Sequence, residues 1–177
     1  MSDINEIMKK ASAIKLVVFD VDGVLTNGEI VYAGNNLEIK VFHAHDGQGM
    51  KLLKQGGCEV AILSSRSSSV VAIRMQELGI EHVFQGQTDK RTCLLELQKK
   101  LKVEQANTAY VGDDLVDLPA MRVSGLAVAV ANAHQTVCQH ADWVTTRPGG
   151  NGAVREVCDL ILTAQGKLDA LQNAYLQ

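Results

Sequence analysis

The sequence predicts an α/β fold: a parallel sheet of about six strands with helices on both faces. Three observations predict it. Short apolar runs recur along the chain, near-continuous rather than alternating, as in strands buried on both sides. Helix-period patterns fill the stretches between them, as strand–helix–strand crossovers require. One segment, at about residues 28–46, breaks the rhythm with two alternating runs and reads as a protruding β-hairpin. The layout is Rossmann-like. Residues 1–177 are expected to form a single domain, without internal repeat, low-complexity tract or linker.

The elements follow in order. Residues 3–13 place Ile4, Ile7, Met8 and Ala11 on one face and predict a short amphipathic helix. IKLVVFD (14–20) is the first strand. In the hairpin, Ile30 and Tyr32 alternate in the first run and Leu37, Ile39 and Val41 in the second, with Gly34, Asn35 and Asn36 as turn chemistry. A helix near 47–56 leads to the strand EVAILSS (59–65), and a helix near 68–78 leads to HVFQ (82–85). Thr88 or Asp89 is placed to cap a helix at 90–101. TAYVGDD (108–114), LAVAVAN (126–132) and DWVTT (142–146) complete the sheet, separated by helices near 115–123 and 133–140. Gly79 and Gly125 stand where helix C-caps belong, and a long final helix starts at about 152.

Composition narrows the function. Apolar residues are 46% and charged residues 21%, ordinary for a globular chain. The net charge of −3 argues against a dedicated nucleic-acid partner. Four cysteines, Cys58, Cys93, Cys138 and Cys158, are far apart and form no C-x-x-C pair. They read as reduced, mostly buried thiols rather than a zinc site. The apolar run at 14–19 is too short for a signal or a membrane span. A soluble, cytoplasmic chain with no membrane partner is expected.

In an open parallel sheet the ligand lies beyond the carboxyl ends of the strands. The first strand delivers Asp20 and Asp22 there, and the second Ser64, Ser65 and Arg66. The turn after the third delivers Lys90, and the fourth Gly112, Asp113, Asp114 and Asp117. Each has a bland reading alone: a strand-end Asp, Asp117 included, caps the next helix, and a lone Lys90 is a solvated helix residue. Together they form an acidic cluster beside one lysine, one serine and one arginine. Asp20 and Asp22 repel each other unless a divalent cation joins them. An extended strand puts both on one side. With Asp113 they offer the hard oxygen ligands Mg²⁺ takes, water and substrate phosphate completing the shell. Asp20 is then free to attack phosphorus. Lys90 holds Asp20 ionised and binds a phosphate oxygen, Ser64 hydrogen-bonds another, and main-chain amides from Val21 to Gly23 cradle a third.

DVDGVLT (20–26), the serine closing the second strand, Lys90 and GDDLVD (112–117) occur in that order, and together resemble the haloacid dehalogenase superfamily of phosphatases. The resemblance implies that Asp20 forms an aspartyl-phosphate. It implies that Asp22 acts as general acid to the leaving alkoxide and then as base for the hydrolytic water. It also implies Mg²⁺ held by Asp20, the main-chain carbonyl of Asp22 and Asp113, with Asp114 or Asp117 in support.

A hairpin of this length cannot hold a core, and two strands alone are marginal in water. A neighbouring subunit is the simplest cover for its apolar face; folding onto its own domain is the alternative. This capless layout, with FHAHDG (42–47) and PGGNGAVRE (148–156), resembles the 3-deoxy-D-manno-octulosonate 8-phosphate (KDO 8-phosphate) phosphatases. The nonulosonate-9-phosphate phosphatases are the related alternative. The resemblance implies a homotetramer whose hairpins and C-terminal tails complete neighbouring sites. It implies a small phosphorylated sugar acid as substrate, in lipopolysaccharide synthesis. Two positions depart from the pattern: His45 stands where Arg commonly precedes Asp46-Gly47, and Ser65-Arg66 where Gly-Arg is usual.

The substrate-binding candidates are therefore Ser64, Arg66, Lys90, Gly23, His45 and Arg74, with Arg66 placed for a substrate carboxylate. Arg74 lies eight residues beyond Arg66 and reads as a substrate contact or a solvated side chain. His43 and His45 read as lining a polar pocket or lying in solvent, with a metal-ligand role the alternative. Arg147 reaches substrate or pairs locally, Trp143 packs in the core with stacking on a ligand the alternative, and residues 167–177 form a docking tail or a frayed end. Two other functions stay open: the same chemistry on another small phosphate, and a phospho-receiver signalling domain or non-catalytic homologue. A receiver carries its phosphorylated Asp in mid-chain, whereas Asp20 comes first here.

Overall fold

Every residue of β1 (Leu16–Phe19) is buried, because its side chains alternate between two packed layers. Val17 and Phe19 enter one layer, and Leu16 and Val18 the other. The computed structural model describes residues 3–34 and 37–176. In it β1 pairs in parallel with β4 (Glu59–Leu63) on one side and β6 (Thr108–Gly112) on the other. With β5 (His82–Phe84), β7 (Leu126–Ala129) and β8 (Trp143–Val144), the six-stranded sheet has the order β5-β4-β1-β6-β7-β8, parallel throughout. The chain moves outward from β1 to β5, then crosses back to β6 and moves the other way. The direction reverses between β1 and β6, which is where such sheets bind ligands.

Helices cover both faces, as expected. α1 (Ile4–Ser12), α2 (Ala44–Gln55), α3 (Ser69–Glu77) and α7 (Ala153–Ala164) pack on the Val17/Phe19 side through Ile7, Met50, Met75 and Ile161. α4 (Lys90–Leu101), α5 (Leu118–Met121) and α6 (Gln135–His140) pack on the other through Leu94, Met121 and Val137. Among the described residues no helix is long and apolar enough to cross a membrane.

Several boundaries differ from expectation for tertiary reasons. α2 starts at Ala44 rather than near 47 because its first turn is anchored. Asp46 there is buried and accepts the main-chain N–H groups of Gly152 (3.3 Å) and Arg155 (2.8 Å) at the start of α7. The helix expected near 115–123 is a 3₁₀ turn, Leu115–Asp117, followed by the short α5. Gly79 does follow α3 in the left-handed region (φ +67°), and Asp89 caps α4 by accepting from Thr92 N (3.0 Å). Gly125 is no cap. A Cβ there would lie 2.4 Å from the Ala106 carbonyl oxygen, so glycine lets the chain entering β7 pass that turn. The final helix ends at Ala164, and α8 (Leu168–Asn173) follows after Gly166.

The hairpin pairs β2 (Val31–Ala33) with β3 (Leu37–Ile39), with Val31 opposite Ile39 and Tyr32 opposite Glu38. Opposed residues share a face. Its apolar face is therefore Val31, Ala33, Leu37 and Ile39, and Tyr32 belongs to the other. This corrects the expectation by one residue. The expected turn residues Asn35 and Asn36 lie outside the described residues.

Candidate active site

The backbone decides where each carboxylate points. Asp20 N–H still donates to Val111 O (3.0 Å), and then the chain turns, with Leu25 N (2.9 Å) and Thr26 N (3.1 Å) both donating to Val21 O. The strand does not stay extended through Asp22, so period-two geometry is not what places Asp22, although Asp20 and Asp22 line one cavity. Gly23 makes the turn at φ +90°, where a Cβ would sit 1.9 Å from Asp113 Oδ2. Its N–H donates to Thr26 Oγ1 (3.3 Å), so Gly23 is steric space for Asp113 rather than a phosphate donor. Any cradle of amides is left to Val21 and Asp22.

Asp117 is the centre of the cluster. It is 0% exposed and fully satisfied. Its Oδ1 accepts from Lys90 Nζ (2.7 Å) and Tyr110 Oη (2.8 Å), and its Oδ2 from the N–H groups of Asp113 (3.0 Å) and Asp114 (3.2 Å). Lys90, buried at the first position of α4, also lies 2.9 Å from Asp20 Oδ1. Oxygens of Asp20, Asp113 and Asp117 all lie within 4.8 Å of one another. One lysine thus faces three carboxylates. Burial first, and then the charge of Asp117, push Asp20 up to about 7 despite Lys90. Burial with the charges of Asp117, Asp20 and Asp114 does the same to Asp113, also to about 7. Burial alone would lower Lys90, but the charges of Asp20 and Asp117 outweigh it and hold it above its ordinary value. Lys90 therefore does not by itself keep Asp20 ionised.

A divalent cation fits this site. The donors are hard oxygens, the buried charge is negative in excess, and Asp113 Oδ1 is buried without a hydrogen-bond partner. The carboxylates placed to hold it are Asp20 and Asp113; the oxygens of Asp117 lie within reach but are already taken by Lys90, Tyr110 and two main-chain N–H groups. The carboxylate of Asp22 is engaged elsewhere, so Asp22 offers a metal only its main-chain carbonyl. Among the described residues no His or Cys joins a metal-holding group, so neither the histidine nor the zinc alternative is supported.

Above the cluster opens a cavity of about 260 Å³, with Asp20, Asp22, Ser64, Arg66, Lys90 and Asp113 in its wall. Ser64 Oγ accepts from Arg66 N (3.2 Å), which leaves its own hydrogen to donate. Besides Gly23, two expected binding residues, His45 and Arg74, are not in this wall. His45 lines a separate cavity with Arg147, Gly152 and Arg155. Arg74 pairs with Glu77 (3.1 Å) over Gly47, where a Cβ would be 2.6 Å from its guanidinium. The i+8 spacing from Arg66 starts in a loop, not in the helix, so it does not make a shared face.

Three hairpin residues escaped sequence reasoning: Tyr32, Glu38 and Lys40. Lys40 Nζ pairs with Asp22 and lies 3.4 Å from Glu38 Oε1. Arg66 donates through one terminal nitrogen to Tyr32 Oη (3.1 Å) and Glu38 Oε1 (3.0 Å), and its Nε lies 3.5 Å from Asp22 Oδ2. Strand alternation was the available signal, since it puts Tyr32, Glu38 and Lys40 on one face.

A doubly wound sheet with a lysine-paired aspartate at its switch point is a frame for phosphoryl chemistry, in hydrolases and phospho-receivers alike. A family model described as haloacid dehalogenase-like hydrolase matches residues 79–157. The KDO 8-phosphate phosphatase of Escherichia coli K12 is 48% identical over 165 residues, covering 93% of this chain and 87% of that protein. The Yersinia pestis enzyme of the same name is 44% identical over 166 residues, 93% of this chain and 88% of that protein. The Moraxella catarrhalis KDO 8-phosphate phosphatase, crystallised with magnesium, phosphate and KDO, superposes with a TM-score of 0.96 at 48% identity, covering 98% of this chain and 99% of that one. The cobalt-bound Haemophilus influenzae phosphatase gives 0.91 at 43% identity, over 95% and 99%. The chain belongs to the family of KDO 8-phosphate phosphatases within the haloacid dehalogenase-like hydrolases. That family places it among enzymes rather than phospho-receivers.

Proposed function

We propose that this chain hydrolyses 3-deoxy-D-manno-octulosonate 8-phosphate to the free sugar acid and inorganic phosphate, through an aspartyl-phosphate on Asp20. The observation that carries the reading is one cavity holding the Lys90-paired Asp20 and, at its rim, an arginine suited to a carboxylate. Lys90, the Ser64 hydroxyl and the amides of Val21 and Asp22 bind the phosphoryl oxygens. Asp20 attacks phosphorus, the bond from phosphorus to the sugar oxygen breaks, and Asp22 gives that oxygen a proton. Asp22 then takes a proton from water, whose oxygen displaces the Asp20 carboxylate from phosphorus. Bound Mg²⁺, held by Asp20, Asp113 and the Asp22 carbonyl, supplies charge neutralisation for this transfer. Asp117 orders Lys90 and the Asp113 backbone from below.

The exposed apolar face of the hairpin supports a homo-oligomer, with a tetramer the form we propose. The whole chain acts as one catalytic domain. The reading carries a cytoplasmic location with it, since a sugar-acid phosphate does not cross membranes unaided. The test is phosphate release from a panel of phosphorylated C6 to C9 sugars and sugar acids with Mg²⁺. KDO 8-phosphate is expected to be the best substrate. Preference for a nonulosonate 9-phosphate would move the reading to that related activity, and no release from any member would overturn it.

A further inference from the structure

Four charged side chains close a ring beside the catalytic cavity. Lys40 contacts Asp22 and Glu38, and Arg66 contacts the same two carboxylates, so charge alternates around the circuit. The members come from three places: the end of β1 (Asp22), the hairpin (Glu38, Lys40) and the end of β4 (Arg66). The Lys40 side chain is only 1% exposed, and those of Asp22 and Glu38 are 18% and 15% exposed. Half-buried ion pairs of this kind lose much more when one partner is removed than exposed pairs do. Arg66 hydrogen-bonds through one terminal nitrogen, its Nε faces Asp22 Oδ2 at 3.5 Å without a hydrogen bond, and among the described residues its other terminal nitrogen has no partner. That nitrogen remains to meet a ligand in the cavity.

We infer that Glu38 and Lys40 are positioning residues: Glu38 sets Arg66 for the substrate carboxylate, and Lys40 sets Asp22 for proton transfer. The inference rests on the sugar-acid phosphatase reading. The hairpin thereby links recognition of the acid end of the substrate to the chemistry at its phosphate end. The shorter contacts favour this division: Arg66 approaches Glu38 to 3.0 Å but Asp22 only to 3.5 Å, and Lys40 lies closer to Asp22 than to Glu38. The charged partners of Glu38 among the described residues are Arg66 and Lys40, whereas Lys40 also touches Asp22, the proposed proton carrier, directly.

The test compares KDO 8-phosphate with acetyl phosphate, which has no carboxylate, in Glu38→Gln, Lys40→Met and Lys40→Arg. Glu38→Gln is expected to raise KM for KDO 8-phosphate about tenfold with little change in kcat. The ratio of kcat/KM between the two substrates should then fall about tenfold. Lys40→Met is expected to lower kcat at least tenfold on both substrates, and Lys40→Arg to recover most of it. Light scattering and thermal melts accompany each variant. A lower KM in Glu38→Gln would show that Glu38 competes with the substrate carboxylate, and overturns the inference. So do wild-type constants in both neutral variants, or losses that track lost assembly or lost folding. A wild-type enzyme that does not prefer KDO 8-phosphate instead overturns the underlying reading, a separate result read from the same data.

Discussion

Asp20 and Asp22 differ by two positions and by almost everything else. Asp20 ends a strand that is still hydrogen-bonded to β6, so its carboxylate is fixed against Lys90. Asp22 lies past the turn and is fixed by side chains from elsewhere. On the proposed mechanism, replacing Asp20 with Asn removes the attacking carboxylate and weakens the metal site, so turnover should vanish while the fold persists. Steady-state assay of the purified variant checks this, and measurable hydrolysis would exclude Asp20 as nucleophile. Gly23 makes the second prediction at this scale. Gly23→Ala adds a methyl where Asp113 Oδ2 now lies, at a backbone angle costly for alanine. Asp113 must move, so Mg²⁺ affinity measured by calorimetry should fall at least tenfold. Unchanged affinity would show that Asp113 does not hold the metal. The aspartates were legible in the sequence because chain order puts them after strands. The weight of Asp117 was not, because its partner Tyr110 meets it only in the folded core.

At the scale of elements, the hairpin is the exception to a conventional sheet. The six core strands bury both faces, and their apolar runs announced them. The hairpin buries neither face fully: Tyr32, Glu38 and Lys40 contact Arg66 or Asp22, and Leu37, Ile39 and Val41 are open, Val41 at 73% exposure. An uncovered apolar face on a marginal two-stranded element needs a partner. Val41→Asp should therefore shift the oligomer toward smaller species by light scattering, and lower kcat/KM in parallel. A fully active monomer would refute the assembly part of the proposal. The hairpin's existence was visible from alternation and glycine. Its facing was not, because a one-residue change of register exchanges the two faces.

For the whole molecule, the active site is a concentration of like charge that the fold alone does not neutralise. Burial and mutual repulsion raise Asp20 and Asp113 to about 7, above the value near 3.8 of an unfolded aspartate. Between those values the folded metal-free chain binds more protons than the unfolded chain, so its stability falls as pH rises through the window of about 4 to 7. Metal-free protein should therefore melt at a lower temperature at pH 8 than at pH 6, and added Mg²⁺ should restore much of the loss at pH 8. Differential scanning calorimetry with and without chelator measures both. A metal-free melting temperature that rises over this interval would contradict the charge balance described. Activity should be lost on chelation and return with Mg²⁺.

The sequence by itself determined the parallel sheet, the strand ends and the gathering of Asp20, Ser64, Lys90 and Asp113 beyond them. These follow from local periodicity and chain order, which a reader of the chain possesses in full. The tertiary structure alone decided that Asp22 turns toward Lys40, that Asp117 sits at the centre, and that His45 and Arg74 line other surfaces. Such outcomes depend on the turn at Gly23 and on pairings between segments distant in sequence. A side chain's direction beyond a strand end is set by the neighbours it meets, and those exist only once the chain has folded.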